Sequence, residues 1–373
     1  MFEILTLNKI SKYGLEKLDA SKYVWGDAVA SPDAVMVRSA AMHDMTLDPK
    51  TIAIARCGAG TNNIPVDACA AQGVVVFNTP GANANGVKEL VLCAMLLSSR
   101  RIVPGIEWCK TLKGQGDAVG KAVEKGKGAF VGPEIKGKTL GVVGLGAIGR
   151  LVADAAVLLG MRVIGYDPFP VKGVNEAVTV VDTLEPVFAE CDYITLHAPS
   201  TPQTKGMINK TTIASMKDSV RILNFARGDL VDSDDILAAL ADGKVAAYAT
   251  DFPTDAQLGA EGVIAIPHLG ASTPESEDNC AIMAAEELTA YIETGAIKNS
   301  VNFPNAPLSA NFAVRTCVLH TEAAAEAVAA ALGDVVFAGA KKGYGYTVAD
   351  KAADEAALAS IDGVVRVRVL KAE

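Results

Sequence analysis

No two of the seven cysteines stand at CxxC spacing, and their number is odd. That argues against a disulfide framework and against a zinc site, and makes reduced thiols the expectation. Apolar runs approaching the ~20 residues of a spanning helix are also missing. The first residues carry no basic stretch followed by a long apolar one, so no signal peptide and a cytoplasmic location are expected, with no membrane partner. Positive charge is short: 34 basic against 43 acidic residues give a net charge of −9, with a pI near 5.1. This argues against nucleic acid or an anionic membrane as the main partner. A small anionic substrate stays open, because local basic side chains can oppose a global negative field. Histidine is scarce, with four in the chain.

What is present is apolar and regular. Half of the 373 residues are hydrophobic and 21% are charged, enough for sizeable cores in two or three domains. Short apolar strands at 2–7, 34–37 and 74–77 alternate with helical patterns, one at 65–72 closed by Gly73 and a longer one at 87–99. Residues 110–138 are rich in glycine and lysine and read as a loop. From Thr139 a second series begins, with strands at 139–143, 162–166, 193–196, 221–225 and 245–250 and helices at 147–159 and 234–241. That rhythm belongs to a doubly wound parallel sheet. A helix at 275–294 stops at Gly295. Beyond a proline-containing linker at 304–307 the pattern becomes βαββαβ, with strands at 315–319 and 364–370.

The segment following the 139–143 strand reads GxGxxG, with Gly144, Gly146 and Gly149. Alone that pattern is weak. Here it follows a strand, opens a helix through Ala147 and Ile148, and is followed by a second strand ending in Asp167. Gly144 permits the tight turn, Gly146 lets backbone approach a pyrophosphate, and Gly149 lets helix and strand pack closely. The helix N-terminus offers unpaired N–H groups to phosphate. Asp167 can accept hydrogen bonds from both ribose hydroxyls and would repel a 2′-phosphate, which makes NAD the expected cofactor.

Hydride transfer from an alcohol carbon also needs a base, a carboxylate to hold that base and a cation for the substrate carboxylate. Arg227 stands just past a strand end and has the planar fork that grips a carboxylate at two points. His268 lies in a Pro/Gly-shaped turn after a short apolar strand, and imidazole is the natural proton acceptor near neutral pH. Asp255 is the candidate partner of that imidazole, and Asp251 competes for the role. Each has a plainer reading: a surface arginine, a structural histidine, a capping aspartate.

The run of VRS at 37–39, CGAGTNNI at 57–64, GxGxxG with YDP at 166–168, HAPSTPQT at 197–204, NFARGDLVD at 224–232 and PHLGAST at 267–273 resembles the D-isomer-specific 2-hydroxyacid dehydrogenase family. Six motifs fall in order across residues 36–305, and the likeness is strongest to the branch acting on 3-phospho-D-glycerate. The resemblance implies two Rossmann-like domains of α/β class, a substrate domain of 1–98 and 272–305 and an NAD domain of 99–271, with an ACT-like α+β regulatory or assembly domain at 312–373. It implies a homodimer or homotetramer and a small anionic substrate. Arg227 and His268 would bind carboxylate and exchange the proton, and the family's glutamate would fall on Asp255, one residue early and as an aspartate. His197, Pro199, Thr204, Ala226 and Asp251 match cofactor-lining positions, and Arg38, Ser39, Gly58, Ala59 and Asn78 match substrate loops. Arg38 and Arg56 could neutralise a phosphate. The first strand–helix junction of the tail lacks the family's HxNxPG serine-binding pattern, so a serine site is not expected. Two rivals remain: a dehydrogenase of another D-2-hydroxy acid, and a non-catalytic NAD-sensing protein on the same scaffold.

Overall fold

Runs of valine, isoleucine and alanine punctuated by helices give three sheets in the computed structural model, which describes residues 1–372. The first sheet holds β1 (Phe2–Leu7), β2 (Tyr23–Gly26), β3 (Ala34–Val37), β4 (Ala53–Arg56) and β5 (Val75–Asn78) in the order β2-β1-β3-β4-β5. All four pairings are parallel, and the register aligns Val37 with Arg56 and Arg56 with Asn78. The carboxyl ends of β3, β4 and β5 therefore form one edge. Strands β2 and β4 are not among the strands expected from the sequence. The helix Pro274–Thr294 buries Ala281, Ala284, Leu288 and Tyr291 in the core that holds Ile4, Met36, Ala55 and Phe77.

The second sheet holds β6 (Thr139–Val143), β7 (Arg162–Tyr166), β8 (Val178–Val181), β9 (Tyr193–Leu196), β10 (Val220–Asn224), β11 (Val245–Thr250) and β12 (Val263–Ala265). Its order, β12-β11-β10-β9-β6-β7-β8, is wholly parallel and reverses between β6 and β9. That is a doubly wound sheet with its switch point at the end of β6. The helix Ala84–Arg100 belongs with this sheet: Val87, Val91, Ala94 and Met95 share a core with Val152, Ala156 and Tyr193. Ser99 also hydrogen-bonds the Tyr193 hydroxyl at 2.7 Å. The two units of the chain are accordingly 1–83 with 274–373, and 84–273. The first change of unit precedes this helix, between residues 83 and 84, whereas the resemblance implies a boundary at 98–99.

Residues 110–138 are not the plain loop expected. Helices Ile102–Thr111 and Val119–Gly126 occupy much of 102–126, with no buried residue in either. Alanine, glutamate and lysine between the glycines favour helix, and Trp108 packs on Phe130 with ring centroids 5.2 Å apart.

The third sheet, of β13 (Val314–Thr321), β14 (Phe337–Lys341), β15 (Tyr344–Ala349) and β16 (Val364–Lys371), is antiparallel in the order β14-β15-β13-β16. With its two helices it has the βαββαβ layout expected of the tail. Period-two alternation along β13 sends Val318 towards those helices and Cys317 and Leu319 into the core beneath the first sheet. No helix of the described residues is long and apolar enough to cross a membrane.

Candidate active site

The glycine turn sits at the switch point of the second sheet. Gly144 has φ of 95°, a left-handed conformation, and a side-chain carbon there would lie 2.6 Å from the carbonyl oxygen of His197 at the end of β9. At Gly149 such a carbon would lie 1.9 Å from the Gly144 carbonyl oxygen, so the helix can approach the turn only without one. Gly146 has open space around it. It caps the helix Ala147–Leu158 with no side-chain hydrogen bond, and the first turn, with Ala147 and Ile148, carries no acidic residue. Free N–H groups, a positive helix end and space at Gly146 fit a pyrophosphate.

Asp167 follows β7 and accepts hydrogen bonds from the Leu145 N–H at 2.8 Å and the Phe169 N–H at 3.0 Å. One carboxylate thus ties the glycine turn to the neighbouring strand end and keeps lone pairs for a ribose. On the other side of the switch, Thr204 donates to the Pro199 carbonyl at 2.6 Å and closes the 199–204 turn. His197 is half-buried, its Nε2 3.0 Å from the Thr195 hydroxyl and its Nδ1 shielded without a partner. Burial pushes its pKa down to about 4, so it is neutral near pH 7.

Three successive strands of this unit deliver the other side chains. Arg227 follows β10, Asp251 follows β11 and His268 follows β12, all at the carboxyl edge where parallel sheets hold ligands. Arg227 and His268 are exposed. Asp251 is only 3% exposed, and its Oδ1 is buried without a hydrogen-bond partner. Burial raises its carboxyl above the ordinary value, and the charges of His268 and Arg227 pull it back. Asp251 is thus a buried acid within electrostatic reach of both side chains. Asp255 lies exposed at the start of the single turn Asp255–Gln257, where Thr254 and Gln257 cap each other.

Two residues given no role in the sequence analysis pack or hydrogen-bond against this group. Asn224, fully buried at the end of β10, accepts from the Ala226 N–H at 3.2 Å and donates to the Arg227 carbonyl at 2.9 Å, shaping the loop that presents the guanidinium. The ring of Phe252 packs on the His268 ring with centroids 4.4 Å apart. Asn224 was legible as a polar residue closing an apolar strand; Phe252 left no signal.

In the other unit, the expected substrate-loop residues gather along the aligned ends of β3, β4 and β5. The Arg56 guanidinium covers Gly58, where a side-chain carbon would lie 2.1 Å from Nη1, and its Nε donates to the Arg38 carbonyl at 3.1 Å. Asn8 accepts from the Ser39 and Ala40 N–H groups at 2.9 and 2.7 Å. Asn78 donates to the Ala59 carbonyl at 2.5 Å. Arg38 pairs with Glu277 at 2.5 Å, with both side chains about 40% exposed.

Residues 92–270 match the model of the D-isomer specific 2-hydroxyacid dehydrogenase NAD binding domain. A D-3-phosphoglycerate dehydrogenase of Bacillus subtilis is 36% identical over 323 residues, covering 82% of this chain and 59% of that protein. A namesake from Methanocaldococcus jannaschii is 38% identical over 262 residues, covering 68% of this chain and 48% of that protein. The chain spans about half the length of the curated relatives it matches. Among solved structures, NAD+-bound 3-phosphoglycerate dehydrogenase of Entamoeba histolytica aligns with a TM-score of 0.64 at 27% identity, over 81% of this chain and 98% of that one. A D-lactate dehydrogenase from Treponema pallidum shares the fold, with a TM-score of 0.69 at 22% identity over 80% of this chain and 99% of that one. The chain belongs to the D-isomer specific 2-hydroxyacid dehydrogenase family.

Proposed function

We propose that the chain is an NAD-dependent dehydrogenase of small D-2-hydroxy acids that oxidises 3-phospho-D-glycerate to 3-phosphohydroxypyruvate. The observation that carries this reading is the delivery of Arg227, Asp251 and His268 by three adjacent strand ends of the sheet that bears the glycine turn. The glycine turn and Asp167 would hold NAD, which would supply the hydride acceptor for C2 of the substrate. Arg227 holds the carboxylate beside that carbon and polarises the oxygen as the carbonyl forms. His268 takes the hydroxyl proton. The carboxylate of Asp251 stabilises the resulting imidazolium, so the alcohol loses one proton to the protein and one hydride to the cofactor. Asp167 favours NAD over its 2′-phosphorylated form, by charge repulsion. Arg38 and Arg56 are the candidates for the substrate phosphate.

A second reading, oxidation of an unphosphorylated D-2-hydroxy acid, draws on the Arg38–Glu277 pair, which offsets part of the positive charge at those loops. Comparing kcat/KM for 3-phosphoglycerate with glycerate and lactate separates the two. A preference of tenfold or less for the phosphorylated acid would favour the second; a charge-assisted phosphate contact of ~1.5–3 kcal/mol predicts more than about tenfold. The cytoplasmic, homodimeric or homotetrameric assembly implied by the family, and the tail as its assembly or regulatory module, belong to this proposal. The βαββαβ layout supports the last part.

A further inference from the structure

The helix Pro274–Thr294 carries one carboxylate that its apolar face does not account for. Glu287 is 4% exposed and lies among Ala284, Leu288 and Tyr291, all buried. Its Oε1 accepts a hydrogen bond from the Asn299 side-chain amide at 2.6 Å, and its Oε2 is buried with no hydrogen-bond partner. A half-satisfied buried carboxylate is costly, and an apolar residue would stabilise this core better.

The bond it makes leads directly to the substrate loops. Asn299 has φ of 57°, a left-handed conformation, and the Ser300 beside it bridges Phe77 of β5. The Asn299 carbonyl accepts from the Asn78 N–H at 3.3 Å. The Asn78 amide donates to the Ala59 carbonyl at 2.5 Å, and the Thr79 N–H donates to the Gly58 carbonyl at 3.1 Å. A continuous relay thus runs from Glu287 through Asn299 and Asn78 to the turn at 57–60.

We infer that Glu287 is a positioning residue for substrate binding: by orienting Asn299 it fixes Asn78 and the 57–60 turn. The inference rests on the proposed function for its consequence, and on the relay alone for its geometry. Burial pushes the Glu287 carboxyl up to about 7, against Asn299 and Lys298, which favour the charged form, and with Glu286, which does not. Cys57, at the end of β4, faces it from the sheet. The ionised carboxylate is the stronger acceptor for the Asn299 amide. The turn is therefore best held above about pH 7 and loosens as the group takes up its proton.

Two measurements on the full chain test this. In steady-state oxidation of 3-phosphoglycerate, Glu287→Ala should raise KM about tenfold, the size of one lost hydrogen bond, with kcat little changed. Wild-type KM should rise as the pH falls through about 7, whereas Glu287→Gln, which keeps an acceptor but does not titrate, should show no such limb. In hydrogen exchange, peptides covering 57–60 and 78–80 should exchange faster in Glu287→Ala than in Glu287→Gln. Altered exchange in a chain that turns over no 2-hydroxy acid would retain the relay and sink the proposed function. Wild-type exchange in Glu287→Ala, or a Glu287→Gln enzyme that keeps the wild-type pH limb, would overturn the inference.

Discussion

Asp251 and Asp255 are four residues apart and chemically identical, yet only one is buried beside the charges of His268 and Arg227. The difference is one of direction. Asp251 is the first residue past β11, while the chain from Thr254 folds into its own capped turn. Spacing in a motif counts residues and carries no direction, which is why the sequence offered both. Arg227 and His268 stand out in the sequence because each follows an apolar strand with no competing residue nearby. His268→Ala should lower turnover by roughly a hundredfold or more with NADH binding nearly intact, measured by kinetics and by fluorescence titration. Asp251→Asn should cut kcat by about tenfold or more, since it removes the charge that stabilises the imidazolium. Asp255→Asn should stay within about twofold, as a surface change does. The reverse ranking would return the partner role to Asp255.

At the scale of elements, the glycine turn separates packing from binding. A methyl at 149 would meet the Gly144 carbonyl, whereas one at 146 would meet only open space. Gly149→Ala should therefore lower the stability by about 1–3 kcal/mol, as overpacking does. Gly146→Ala should leave the melting temperature close to that of the wild type and weaken NADH binding. A normal Tm for Gly149→Ala would contradict the packing role. The helix Pro274–Thr294 permits a pH test of the same kind. The Glu287 carboxyl ordinarily titrates near 4.5 and is raised to about 7 by burial. The folded state thus holds the proton more tightly: the stability it confers is full below pH 4.5 and is lost as pH rises through about 7. Glu287→Gln should gain on the order of 2 kcal/mol relative to wild type at pH 8 and little at pH 4.5, by urea titration. The long helix Pro274–Thr294 and the wholly buried β6 were readable in advance, the first from its length and the second from its apolar run. The short strands β2, β4 and β8 and the exposed helices at 102–126 were not, because pairing and local propensity decide them without a periodic apolar face.

Over the whole molecule, the tail is not an appendage of the first unit but part of its core. Arg315, 1% exposed, pairs with Asp350 at 2.5 and 3.0 Å and donates to the Thr294 and Ser309 carbonyls, both at 2.8 Å. Arg368 donates to the Tyr291 and Ile292 carbonyls at 3.3 and 2.8 Å. Both arginines therefore supply the positive charge that the last turn of Pro274–Thr294 lacks in its own sequence. The composition showed a separate βαββαβ unit at 312–373, and nothing in it revealed that one face of its sheet would be buried beneath the first. Arg315→Ala should cost about 3–5 kcal/mol and expose the segment after residue 308 to protease, since it leaves Asp350 and two carbonyls without their donor.

The most direct test is the oxidation of NADH, followed at its fluorescence, with 3-phosphohydroxypyruvate and unphosphorylated 2-keto acids offered in turn to the wild type and to the Arg227→Ala and His268→Ala chains. Rapid turnover by the wild type, strongest with the phosphorylated acid and nearly abolished in both variants, is the predicted result. Tight NADH binding with no turnover of any keto acid, or variants as fast as the parent, would contradict it.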